Sequence, residues 1–140
     1  MVLTEKRKDL FTVGKEYHLA HCIASDLRMG AGIAVPMQKT FGLRGKIQAS
    51  GESTKHPTCI LAGRVFNLIT KKVSSGKPTY DSLREALAKM CEIAEREGVR
   101  KIAMPKIGCG LDRLQWGLVR GMVERAFENT DIEILVCRWQ

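Results

Sequence analysis

Two glycine-rich stretches, Arg28-Met29-Gly30-Ala31-Gly32-Ile33-Ala34 and Ile107-Gly108-Cys109-Gly110-Leu111-Asp112-Arg113, each follow an apolar run that reads as a strand. Residues without a Cβ let main-chain N–H groups approach an anion closely, so a strand running into such a loop is suited to hold a phosphate. Two loops of this kind predict a diphosphate held between them.

The rest of the chain supplies the scaffold. Short apolar runs alternate with longer amphipathic ones, the pattern of a layered α/β domain. Candidate strands are residues 1–7, His18 to Ile23, Thr58 to Leu61, Val65 to Thr70, Lys101 to Met104 and Ile132 to Val136. Ala62-Gly63-Arg64 joins two of them tightly, which predicts one antiparallel hairpin in an otherwise largely parallel, mixed sheet. A helix is expected after Lys77-Pro78, with Thr79 as N-cap, Leu83, Leu87, Met90 and Ala94 on one face, and Gly98 just past its end. A second begins near Leu114, carries Val119, Met122, Val123 and Ala126 on one stripe, and stops near Asn129-Thr130. Between Gly32 and Gly51 lies a weaker helical region interrupted by Pro36, Gly42 and Gly45, and the polar stretch from Ser50 to Lys55 reads as a mobile loop. At 140 residues and 44% hydrophobic content, one core is expected, hence a single domain over residues 1–140.

Several function classes drop out. Charges occupy Glu5 to Asp9, where a signal peptide needs its apolar segment, and no run reaches the roughly 18 apolar residues of a membrane span. A soluble, intracellular protein without membrane contact is expected. Five cysteines (Cys22, Cys59, Cys91, Cys109, Cys137), with no C-x-x-C pair and no nearby His cluster, read as reduced structural thiols rather than a disulfide framework or a zinc site. The 23 Lys and Arg against 15 Asp and Glu, a formal net charge of +8, favour polyanions in general. Basic runs are limited to Lys6-Arg7-Lys8 and Lys71-Lys72, and 6% aromatic content offers no stacking platform for single strands. The sixth position of the Gly30-x-Gly32 pattern is Val35, and no acidic residue ends a second strand about twenty residues on, so a dinucleotide-binding Rossmann site is not expected. No G-x-x-x-x-G-K-[ST] sequence is present.

Ala20-His21-Cys22-Ile23, Arg28 to Ala34, Leu68-Ile69-Thr70-Lys71-Lys72, Lys77-Pro78-Thr79-Tyr80 and Met104-Pro105-Lys106-Ile107-Gly108-Cys109-Gly110-Leu111-Asp112-Arg113-Leu114-Gln115-Trp116 together resemble the macrodomain family. The branch they resemble is the terminal ADP-ribose protein glycohydrolases, also described as O-acetyl-ADP-ribose deacetylases. The resemblance runs from about Asp9 to the C-terminus. It implies a three-layer α/β/α fold and a crevice for ADP-ribose, lined by Asp9, Leu10, Met29, Gly30, Gly32, Ile33, Ala34, Thr70, Lys106, Ile107, Gly108, Cys109, Gly110, Leu111 and Trp139. It also implies hydrolysis of the ester between ADP-ribose and a glutamate or aspartate carboxylate, and deacylation of O-acyl-ADP-ribose, by a monomer using no metal or cofactor. Removal of ADP-ribose from nucleic-acid bases, and non-catalytic reading of ADP-ribose, are the alternatives.

Lys71 ends an apolar strand, where a side chain can project from the carboxyl edge of a sheet into a crevice. A lysine attacks a sugar's anomeric carbon only as the free amine, which desolvation or a cationic neighbour such as Lys72 favours. The resemblance assigns Lys71 that attack, through a covalent lysyl–ADP-ribose intermediate; a solvated strand-end lysine is the plainer alternative. Asp112 follows the second glycine loop, and the resemblance gives it the acid/base role. It would equally serve as N-cap of the helix beginning near Leu114, with Arg113 beside it structural. Asp9 corresponds to the aspartate that accepts the adenine amino group, although the family commonly has Gly before it and this chain has Lys8; a turn-capping aspartate is the alternative. Trp139 falls where the family places a residue lining the adenine pocket, on which its ring would stack; a partly buried edge tryptophan is the alternative. His21 and Cys22, adjacent on a strand, point to opposite faces and cannot pair as base and nucleophile. His18 and His56 have no ligand-like partners in the sequence.

Overall fold

The computed structural model describes residues 1–138. In chain order the elements are β1 (Val2–Arg7), β2 (His18–Ala24), α1 (Ala34–Phe41), α2 (Leu43–Ser50), β3 (Thr58–Ala62), β4 (Val65–Lys71), α3 (Tyr80–Arg96), β5 (Lys101–Met104), α4 (Trp116–Phe127) and β6 (Glu133–Arg138). The strands form one six-stranded sheet in the order β1-β6-β5-β2-β4-β3. All neighbours run parallel except β3, which pairs antiparallel with β4 across Ala62-Gly63-Arg64.

Strand alternation sorts the apolar residues onto two faces. On one, Phe66, Leu68, Ile102 and Met104 meet Leu83, Leu87 and Met90 of α3 and Val119, Val123 and Phe127 of α4. On the other, Leu19, Ile23, Val65 and Ile69 meet Met37 of α1 and Leu43 and Ile47 of α2. The result is the expected α/β/α sandwich. Burial of each large side chain on α3 contributes about 1.5–3 kcal/mol, which makes this helix the main weight on its face.

Local signals set the helix ends. Thr79 and Ser82 exchange side-chain-to-backbone hydrogen bonds at 2.9 and 3.0 Å, a capping box that starts α3. Gly98, at φ +69°, ends it in a left-handed turn in which Val99 N–H donates to Ala94 and Gly98 N–H to Glu95. The interrupted region between Gly32 and Gly51 is two regular helices. Pro36 falls in the first turn of α1, where its missing N–H is no loss, and Gly42 at φ +60° closes α1 and opens α2. All five cysteines are free, and no helix among the described residues is long and apolar enough to cross a membrane.

Beneath the site, His21 is fully buried, with Nε2 2.7 Å from Asn67 Oδ1. Both Asn67 amide protons are spent on the carbonyls of Ile60 and Val65, so its oxygen can only accept, and His21 carries its proton on Nε2. Nδ1 is left without a partner. Charging the ring would put an N–H there in an apolar core, and burial, opposed only by the Asn67 hydrogen bond, lowers the His21 pKa to about 4. The unfolded chain therefore binds the extra proton first. Stability from this group is complete above about pH 6.5 and is lost as pH falls toward 4, by about 3 kcal/mol in all. Urea unfolding at pH 7 and pH 5 is expected to show this fall, and His21→Leu to flatten it.

Candidate active site

The carboxyl ends of the parallel strands open into a crevice of about 1030 Å³, large for a small-molecule site, for which roughly 300–1,000 Å³ is usual. It is bounded by Met29 to Ala34 after β2, by Lys71 and Ser74 to Lys77 after β4, by Pro105 to Asp112 after β5, and by Arg7, Cys137 and Arg138 at the ends of β1 and β6. This is where an open α/β sheet places ligands.

The first glycine loop is held from behind. Leu27 and Met29 sit at φ +57° and +49°, left-handed conformations unusual for residues with a Cβ. Arg44 of α2 fixes the loop by donating to the carbonyls of Leu27 (2.8 Å) and Arg28 (2.6 Å). Asp26 accepts from Arg28 N–H, and from the N–H and hydroxyl of Ser74 at 2.7 Å each, which ties the loop to the segment after β4. Against a burial penalty, these hydrogen bonds hold the Asp26 carboxyl below its usual pKa. The second loop turns at Gly108, φ +72°, where an added Cβ would lie 3.0 Å from Leu114 Cδ1. The loops meet where Leu111 reaches over Gly32: a Cβ there would stand 3.3 Å from Leu111 Cδ1.

Among the described residues, the N–H groups of Gly30, Ala31, Gly32 and Ile33, and of Gly110, Leu111 and Asp112, have no protein acceptor. α1 begins beside the first set with no side-chain cap. Two sets of free backbone donors on loops that line one crevice fit a bridging diphosphate.

Beside the second loop, Lys71 Nζ donates to Asp112 Oδ1 at 2.7 Å, both side chains only 14% exposed, the most sequestered ion pair among the described residues. β4 positions the lysine: its carbonyl accepts from Ser25 N–H (2.9 Å) and Ser25 Oγ (3.3 Å), just past an irregularity in the β2–β4 register. The cap of α4 is Gln115, so Asp112 does not cap that helix; its carboxylate is turned to Lys71 instead. Such a pair presents an amine and a proton acceptor within hydrogen-bond reach, the arrangement of a nucleophile and its base.

Of the residues expected from sequence, Met29, Gly30, Gly32, Ile33, Ala34, Lys71, Lys106, Ile107, Gly108, Cys109, Gly110, Leu111 and Asp112 line the crevice. Leu10 and Thr70, each 2% exposed, are packed in the interior instead; alternation along β4 turns Thr70 to the side of Phe66 and Leu68. Asp9 caps a short turn at Leu10–Thr12, its Oδ1 accepting from Phe11 N–H at 3.0 Å. Trp139 lies outside the described residues. Sequence reading missed Arg7, Cys137 and Arg138, brought together by β1–β6 pairing, and treated Cys22 as packing alone although it borders the crevice. Burial, with the Asp112 carboxylate and Cys109 nearby, pushes the Cys22 thiol up, so it is no ready nucleophile. No three His, Cys, Asp or Glu side chains among the described residues are grouped to hold a metal ion.

Sheet order, paired glycine loops and crevice define a macrodomain, and the chain belongs to that family: the Macro domain pattern matches residues 20–123. It is similar to the ADP-ribose glycohydrolase OARD1 of Homo sapiens, 47% identical over 96% of this chain and 90% of the relative. OARD1 of Bos taurus is 45% identical over the same shares. Among solved structures, the macrodomain of Thermus aquaticus DarG shares the fold with a TM-score of 0.82 over 97% of both chains, at 23% identity.

Proposed function

We propose that this protein is an ADP-ribose glycohydrolase that releases ADP-ribose from glutamate or aspartate carboxylates, and removes the acyl group of O-acyl-ADP-ribose in the same pocket. The observation that carries the reading is the Lys71–Asp112 pair, sequestered in a crevice whose glycine loops offer free backbone donors. A pure reader of ADP-ribose has no use for such a pair. The resemblance to OARD1 at 47% identity supports the same activity.

In this mechanism the diphosphate rests between the glycine loops, with Asp9, Leu10 and Thr70 at or behind the walls of the ADP-ribose pocket. Asp112 takes a proton from Lys71, and the free amine attacks the anomeric carbon of the distal ribose. The carbon–oxygen bond breaks, and its electron pair leaves with the carboxylate, which needs no proton. Asp112 gives that proton up to solvent and then takes one from the water that attacks the anomeric carbon of the lysyl–ADP-ribose adduct; the carbon–nitrogen bond breaks, its electron pair leaves with the amine, and Asp112 returns the water's proton to Lys71. Each turnover thus releases one proton to solvent, as hydrolysis to a carboxylate requires. Incubation with glutamate-ADP-ribosylated protein, O-acetyl-ADP-ribose and ADP-ribosylated DNA, with free ADP-ribose as readout, tests the substrate: release from DNA alone would leave the pocket standing and overturn the carboxylate assignment.

Affinity is assigned to the loops, so ADP-ribose should bind without chemistry. Titration calorimetry is expected to show ADP-ribose bound at least about tenfold tighter than AMP, which carries no bridging diphosphate or distal ribose. Equal affinities would remove the diphosphate assignment.

A further inference from the structure

The segment Lys77-Pro78-Thr79-Tyr80 takes no part in the chemistry above, yet it grips the loop that carries Asp112 at two points. Lys77 Nζ donates to the carbonyl of Leu111 at 2.9 Å, and Tyr80 Oη accepts from Gln115 N–H at 3.0 Å. Between those anchors lie Asp112, Arg113 and Leu114. This short stretch needs holding: Arg113 is left-handed at φ +61°, a conformation that costs a residue with a Cβ about 1–2 kcal/mol, and α4 starts after it with no side-chain cap. Its internal hydrogen bonds, Arg113 N–H to Gly110 and Leu114 N–H to Gly108, fix the turn but not where the turn points.

The gripping segment is itself rigid. Its Thr79 closes the capping box of α3, whose Leu83, Leu87 and Met90 are fully buried. The same connection, from β4 to α3, begins at Lys71 and ends at Lys77 to Tyr80. One stretch of chain therefore carries the amine at its start and holds the carboxylate's loop at its end.

We propose that Lys77, assisted by Tyr80, is a positioning residue that sets Asp112 against Lys71; the inference rests on the acid/base role given to Asp112 above. A small displacement of a base from its working distance costs rate rather than affinity. Lys77→Gln, which shortens the side chain and removes the ammonium, is expected to lower kcat roughly tenfold, while the ADP-ribose Kd, which the grip on Leu111 also touches, weakens several-fold less than turnover slows. Lys77→Arg keeps a donor of similar reach and should recover most of the loss. Tyr80→Phe should act in the same direction, more weakly.

The deciding measurement is a double-mutant cycle on kcat. If Lys77 acts through Asp112, Lys77→Gln adds nothing to the loss in an Asp112→Ala background. Equal losses in both backgrounds, a wild-type kcat for Lys77→Gln, or a Kd weakened as much as turnover is slowed would each overturn the inference, the last by making Lys77 a binding residue. ADP-ribose titration of every variant verifies folding. Wild-type turnover in Asp112→Ala alone would instead defeat the functional reading, and this inference with it; an impaired Asp112→Ala beside an unimpaired Lys77→Gln defeats only the positioning.

Discussion

Lys71→Ala is expected to abolish release of ADP-ribose from glutamate-modified protein, by about a thousandfold or more, while ADP-ribose itself still binds. The two functions rest on different groups. Free backbone donors lie in the glycine loops, whereas Lys71 ends β4, with Nζ against Asp112. The substitution leaves the Asp112 carboxylate without its partner at 14% exposure, which carries a stability cost. Because the crevice is open to water, that cost should stay below the roughly 3–5 kcal/mol of a fully buried broken pair. Calorimetry with ADP-ribose separates loss of chemistry from loss of fold. Wild-type turnover in this variant would rule out attack by Lys71, and Asp112 acting as a base on water would become the working mechanism.

Asp112→Ala is expected to behave differently, because it removes the proton acceptor but spares the nucleophile. Lys71 is freed from its ion pair, and a slow attack can still proceed with solvent taking the proton. Hydrolysis of the adduct, which needs an activated water, should slow more, by roughly a hundred- to ten-thousandfold. Under denaturing mass spectrometry after incubation with substrate, the variant should then carry an ADP-ribosyl mass on Lys71. The absence of that mass in a slow Asp112→Ala enzyme would place the aspartate's role in the attack itself.

The scaffold was largely legible because its signals are local. Alternating apolar runs gave all six strands, Ala62-Gly63-Arg64 gave the hairpin, and Thr79 and Gly98 marked the ends of α3 through side-chain and left-handed backbone chemistry. Pro36 and Gly42 misled only in degree, since a proline in a first turn and a left-handed glycine between helices break nothing. What depends on which strands are neighbours was less visible. Arg7, Cys137 and Arg138 come to the crevice because β1 pairs with β6, a contact between distant parts of the chain. For Asp112 the sequence left a capping role open beside the acid/base one, and the position of Gln115 as the cap of α4 removes the capping role. Periodicity along a strand likewise explains why Lys71 reaches the crevice and Thr70 does not.

Strand order also governs how this molecule comes into being. β1 has a single neighbour in the sheet, β6, and their register joins Val2 to Glu133. β1 leaves the ribosome before β6, so it must remain without its mate until β6 emerges and slots in between it and β5. Pairing over so long a loop is intrinsically slow, and a waiting edge invites the wrong partner. Lys6 and Arg7, exposed on β1, place charge along that edge for the interval, so Arg7, which later borders the crevice, first guards the edge against a wrong partner.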